Sequence, residues 1–189
     1  MSATKRLDVD HEISKAEKEA MEAKEKLAKL RRRLPGLEVE DYTLLDAAGE
    51  KVALSSLFGE KDELILIHNM GKSCPYCTMW ADGFNGVVKH LEDRAAFVVV
   101  SPDPPEEQTK FAASRGWTFG MLSAHDTSFA KDLGFQAKGG GYKPGVSVFR
   151  KGHALRVQAP LRQPLGGKDR LQPPASAPRT RCSRHPRVG

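Results

Sequence analysis

The segment Cys74-Pro75-Tyr76-Cys77 is the part of this sequence best equipped for chemistry. Two cysteines with two residues between them fall one turn apart when the segment opens a helix, which sets both sulfurs on one face within bonding reach. Free N–H groups and the positive end of the helix dipole then favour a thiolate on the first cysteine. Pro75 would occupy the first helical position, where its missing N–H does no harm. Cys74 is therefore the expected nucleophile on a substrate disulfide, and Cys77 the thiol that resolves the mixed disulfide. Lys72 could add positive potential beside the thiolate, although a lysine in solvent is the plainer account.

The same spacing also serves metal sites. A second close pair of ligands is missing, and His68, His90 and His125 are each more simply read as packed or surface histidines. His68 has the strongest claim, because it ends the hydrophobic run that feeds the motif. Capture of copper or zinc is thus a second reading, and a redox-inert protein that binds a partner through its N-terminal helix a third. Trp80, Asp82 and Phe84 follow the motif at spacings that could line a site, with core packing the default for the two aromatic residues. The third cysteine, Cys182, is isolated, so a structural disulfide framework is not expected.

The elements that would position the motif follow from periodicity. Ile13, Ala16, Ala20, Ala23, Leu27, Leu30 and Leu34 alternate steps of three and four between Asp10 and Leu34, a single helical stripe. Ser14 and Glu17 have capping-box spacing, Glu22/Lys26 and Glu25/Lys29 are i,i+4 pairs, and Pro35-Gly36 stops the helix. Because the stripe is half alanine, a helix lying on its own domain is preferred to a coiled-coil dimer arm. A hairpin is expected across Ala48-Gly49-Glu50, then a helical turn from Ser55 to Phe58 and a buried strand from Leu64 to His68. A helix from Thr78 to Leu91, a strand from Ala95 to Ser101, a helix from Pro104 to Arg115 and a strand-like Trp117 to Leu122 come next. A short helix from Asp126 to Leu133 and a strand from Val146 to Phe149 complete the alternation. Such alternation predicts an α/β fold with a mixed, mostly parallel sheet and helices on both faces.

Charge is distributed unevenly. Of 30 basic and 24 acidic residues, 8 basic and one acidic residue lie between Arg156 and Gly189, so the body up to Leu155 is nearly neutral. A neutral body argues against a nucleic-acid platform, since phosphate binding needs clustered positive charge. After Val157 prolines multiply and aromatic residues vanish, so residues 158–189 are expected to be disordered. No apolar run approaches the length of a membrane-spanning helix and the N-terminus opens with charged residues, which leads to the expectation of a soluble, cytoplasmic protein.

Asp41 to Leu57 (DYTLLDAAGEKVALSSL) resembles thioredoxin-like proteins of the alkyl hydroperoxide reductase and thiol-specific antioxidant type. More closely, Cys74 to Phe84 (CPYCTMWADGF) with Gly116-Trp117-Thr118-Phe119 resembles the thioredoxin-fold family known as domain of unknown function 899, over roughly Ala16 to Arg156. The resemblance implies a thioredoxin-like domain at 37–157, preceded by a helical extension at 1–36 and followed by an Arg/Pro-rich tail at 158–189. It implies a dithiol–disulfide oxidoreductase with Cys74 and Cys77 catalytic, and with Pro75, Tyr76, Trp80 and Pro144 contacting substrate. Pro144, just before the Val146 strand, resembles the cis-proline that faces the cysteines in such folds. No bound cofactor or metal is implied. Expected partners are a disulfide-containing protein or small molecule and a reducing donor such as a thioredoxin or a low-molecular-weight thiol, with no membrane and no specific nucleic acid.

Two departures stand out. A peroxiredoxin site would carry proline and threonine seven and three residues before the reactive cysteine, where this chain has Ile67 and Gly71. Related chains are also expected to continue past Val157 with an ordered segment containing aromatic residues, so the Arg/Pro-rich tail suggests a change of reading frame.

Overall fold

The computed structural model describes residues 3–33, 35–152 and 155–162. Among the described residues five α-helices and eight strands follow one another, with a 3-10 helix at Leu54–Phe58. The N-terminal helix α1, Ala3–Arg33, starts about three turns before the predicted cap at Ser14. Strands β1 (Leu37–Glu38), β2 (Thr43–Leu45) and β3 (Lys51–Ala53) follow, β2 and β3 forming the expected hairpin. Next come β4 (Glu63–His68), α2 (Pro75–Asn85), α3 (Val88–Arg94), β5 (Ala96–Ser101) and α4 (Pro105–Arg115). The last elements are β6 (Gly120–Ser123), α5 (Phe129–Asp132), β7 (Gly145–Arg150) and β8 (Arg156–Arg162).

All eight strands join one sheet in the order β1-β8-β7-β4-β5-β6-β2-β3. The predicted α/β class holds, but parallel pairing is confined to β4/β5 and β5/β6, and every other pair is antiparallel. Only the two connections that carry a helical crossover (α2 with α3, and α4) can return the chain in the same direction.

Alternation along the central strands divides the core. Leu64, Leu66, Val98, Val100, Leu122 and Phe149 point to one face and pack with Leu54, Phe58, Phe129 and Phe135. Ile67, Phe97, Val99 and Phe119 point to the other, where Ala81 of α2 and Val88 of α3 cover them. A residue's parity on β4 therefore decides whether it faces the cysteine helix.

Three expectations are corrected. The predicted single helix after the motif is broken at Gly86-Val87 into α2 and α3. The chain does not lose order at Val157: β8 runs to Arg162, antiparallel to β7. Pro160 hid this strand, and it falls where the pairing with β7 shifts register between Val146 and Val148, a place where a missing N–H is tolerated. The rest of the predicted tail, with Cys182, lies outside the described residues. Finally, α1 does not lie on the domain, since Val9, Ile13, Met21, Leu27 and Leu30 are each between 42% and 59% exposed. Alanines at positions 16, 20 and 23 offer too little apolar surface to repay docking on the sheet.

Candidate active site at the start of helix α2

The loop that delivers the cysteines is held by two side chains. Asn69 continues β4 by donating its N–H to Val100 O, and its Oδ1 accepts from the N–H of Gly71 at 2.8 Å. Gly71 adopts φ +100°, a conformation that a side chain disfavours. Asp103, in the turn after β5, accepts from the N–H of Lys72 at 2.8 Å and crowds the space above Gly71, where an added Cβ would come within 2.8 Å of its Oδ1. Asp103 is braced in turn by the Ser101 hydroxyl, itself held by buried Gln108. The loop thus has no room for threonine at position 71.

Cys74 is the N-cap of α2, with Pro75 in the first turn as expected. Its Sγ accepts the N–H of Cys77 at 3.2 Å, and its carbonyl accepts from both the N–H and the hydroxyl of Thr78. The two cysteines are free thiols placed together, both buried. The Met70 N–H donates to Cys77 Sγ at 3.4 Å. Burial, outweighing that hydrogen bond, together with the neighbouring Cys74 sulfur, pushes the Cys77 thiol up to about 12. Cys77 therefore holds its proton at neutral pH, while Cys74 receives the helix N–H.

The remaining predicted residues distribute around this pair. Pro75 and Tyr76 are exposed, and Trp80 is half-buried on α2. Pro144 is half-buried and directly precedes Gly145, which pairs with His68, so it sits at the end of the sheet from which the cysteine loop leaves. Every described peptide bond is trans, the Lys143–Pro144 bond included, which corrects the cis isomer implied by the resemblance. Lys143 is tied through its N–H to Phe135 O at 2.7 Å, and this anchor fixes the chain's approach to β7 with the bond trans. Lys72 pairs with Glu107 at 2.6 Å, both exposed, so its charge is engaged away from the sulfur.

His68 does not join the cysteines. Its even position on β4 turns it to the opposite face, where it stacks on Phe135 at 3.5 Å between centroids and its Nε2 lies 2.9 Å from Ser147 Oγ. Burial lowers its pKa to about 3, leaving a neutral ring. Among the described residues no three His, Cys, Asp or Glu side chains converge as a metal site.

Sequence reasoning named Asp82 as a residue that could line a site, and the groove beside the motif includes it, but its part in supporting α2, and that of Asn85, went unread. Asp82 accepts from Arg115 Nε at 3.0 Å and from Trp117 Nε1 at 2.9 Å, and Arg115 holds its carboxyl below the usual range. One turn on, Asn85 donates to Gly116 O at 2.8 Å and accepts the Thr118 N–H at 3.0 Å. The Gly116-Trp117-Thr118-Phe119 match was the available signal, though nothing local linked it to Asp82 and Asn85. Beside the motif, Lys72, Ser73, Pro75, Thr78, Met79, Asp82 and Arg115 line an open groove of about 550 Å³.

Comparison with known proteins agrees with this architecture. Proteins from two Mycobacterium tuberculosis strains, each named "Putative peroxiredoxin", are 33% identical over 101 residues, which is 53% of this chain. The chain spans 63% of the length of these curated relatives. The crystal structure of peroxidoxin BcpB from Mycobacterium tuberculosis superposes with TM-score 0.54 at 28% identity, covering 65% of this chain and 84% of that one. A PrxQ variant from Xylella fastidiosa shares the fold at TM-score 0.57 and 20% identity, over 68% of this chain and 84% of its own. The thioredoxin-like, peroxiredoxin-related fold is thereby shown. Residues 3–159 match the pattern of one bacterial family throughout, and the chain belongs to it: the bacterial proteins of unknown function called DUF899.

Proposed function

We propose that this protein is a thiol–disulfide oxidoreductase. The observation that carries the reading is the pairing of Cys74 Sγ with the Cys77 N–H at the start of α2, while the Cys77 thiol stays buried and protonated. Cys74 as thiolate attacks one sulfur of a substrate disulfide, forming a mixed disulfide and expelling the other sulfur as thiolate. Cys77 then gives up its proton and attacks Cys74 Sγ. That step closes the Cys74–Cys77 disulfide and releases the second substrate thiol. The substrate gains two electrons and the protein loses them, and a donor such as a thioredoxin or a low-molecular-weight thiol restores the dithiol. Pro75, Tyr76, Trp80 and Pro144 are proposed to line the approach of the substrate.

Reduction of insulin, or of a glutathione mixed disulfide, by the wild type and by Cys74→Ser tests the reading. Loss of activity in the variant is expected, and equal rates would end it. Peroxide reduction is a second reading, favoured by the names of the curated relatives. Against it stand Ile67 and Gly71 in place of the proline and threonine of a peroxiredoxin site, with Asp103 filling the space a threonine would need. Turnover of hydrogen peroxide with dithiothreitol as donor separates the two readings.

A further inference from the structure

The apolar face of α1 has no partner among the described residues, and its sequence specifies one. Assigning Ile13, Ala20 and Leu27 to position a of a heptad places Val9, Ala16, Ala23 and Leu30 at position d, without interruption from Val9 to Arg33. Positions e are Asp10, Glu17, Lys24 and Arg31, and positions g are Glu12, Glu19, Lys26 and Arg33. Both flanks therefore change from acidic to basic at the middle of the helix. Such a helix is complementary to itself reversed.

We infer that α1 pairs with α1 of a second copy of this chain as an antiparallel two-stranded coiled coil. In that arrangement a residues meet d residues, so Ile13 faces Leu30, Ala16 faces Leu27 and Ala20 faces Ala23, with the two-fold axis between the last two. Bulky residues thus meet bulky or small ones, and alanine meets alanine only at the centre, where the helices approach most closely. The flanks then pair e with e (Asp10 with Arg31, Glu17 with Lys24) and g with g (Glu12 with Arg33, Glu19 with Lys26). All four are opposite in charge. A parallel pair would set Glu12 against Glu17 and Lys26 against Arg31, two like-charge contacts against one favourable contact of Glu19 with Lys24. It would also stack alanine on alanine at positions 16, 20 and 23. Exposure of Ile13, Leu27 and Leu30 leaves this seam uncovered by the described residues.

Sedimentation of the full-length protein tests the inference. At tens of micromolar, a range where a weak homodimer with a Kd of about 1 µM is filled, the wild type is expected at twice the chain mass. Ile13→Glu with Leu30→Glu is expected to sediment as a monomer with Cys77 still protected from alkylation, which reports that the domain is folded. The charge variants fix the orientation. Glu12→Lys with Glu19→Lys makes every g position basic, and Lys26→Glu with Arg33→Glu makes every g position acidic. Each alone is expected to weaken the dimer at least tenfold, and an equimolar mixture of the two to restore it as a heterodimer. A monomeric wild type, a dimer that survives Ile13→Glu with Leu30→Glu, or homodimers indifferent to the charge changes would each overturn the proposal.

Discussion

Asp103 occupies the space that any side chain on Gly71 would need, its Oδ1 only 2.8 Å from the position of an added Cβ. With φ at +100°, glycine is required there on both counts. Gly71→Ala is therefore expected to cost about 1–3 kcal/mol of stability, measured as a shift in urea midpoint at constant slope. Gly71→Thr, which installs the residue of a peroxiredoxin site, should cost more and bring no peroxide turnover. Removing the obstruction with Asp103→Ala should recover part of the loss in the double variant. Additive losses would show that the two residues do not clash.

The Cys77 thiol is the one held in its protonated form. With Cys77 pushed up to about 12, iodoacetamide at neutral pH should modify Cys74 alone in the native dithiol protein, as read by mass spectrometry of peptides. In Cys74→Ser the remaining thiol keeps its burial, and should resist alkylation until the pH is strongly alkaline or the chain is unfolded. Rapid labelling of Cys77 in native Cys74→Ser at neutral pH would contradict the proposed division of roles.

Asp82 neutralises Arg115 at the edge of the groove beside the motif. Asp82→Asn keeps the shape and leaves the guanidinium uncompensated. Peptide disulfides with an acidic residue next to the cysteine should then bind better, with KM about threefold lower, consistent with a single exposed charge pair, and kcat unchanged. Trp117 loses a charged acceptor from its indole N–H, so its emission spectrum should shift in the same variant. The paired measurements separate an effect on the groove from general unfolding.

His68 makes the fold sensitive to acid. Its folded pKa, lowered to about 3, lies below the ordinary value of 6.5, so between these limits the unfolded chain binds the proton and the folded chain does not. Stability attributable to this residue is full above 6.5 and falls steadily as the pH drops toward 3. Replacing the pair together, His68→Leu with Ser147→Ala, avoids leaving a lone polar group in the interior and should flatten the pH dependence of thermal unfolding in this window. His68→Leu alone should be less stable than the double variant, because the Ser147 hydroxyl would be stranded.

Much of the architecture was legible because the chain alternates period so plainly. The run Leu64 to His68, the Val98 to Val100 core and the helix from Pro104 to Arg115 are local signals, and each of these three elements formed where its pattern lay. What escaped depends on partners far along the chain. Asp103 and Gly71 are separated by 32 positions, and neither is unusual among its neighbours. The stripe on α1 revealed which side is apolar without saying what covers it, and half its positions being alanine misdirected the choice. β8 was missed because Pro160 and the basic residues around it read as a linker, and only the register shift opposite β7 makes them compatible with a sheet. The cysteine pair itself was readable, since an N-cap cysteine followed by proline states its own geometry. The partition that sends His68 to the far side of the sheet was implicit in strand parity, yet it counts only once β4 is known to be central.

Helix α2 is bolted by charged and amide side chains at its far end and held only by its own loop at its near one. Asp82 and Asn85, one turn apart, fasten it to residues 115–118, whereas the turn bearing the two sulfurs is capped by Cys74 itself. Swinging the whole rod would tear out those fastenings together. Any motion that accompanies oxidation is thus steered into the opening turn, a small hinge that can flex and recover while the body of the domain stays put.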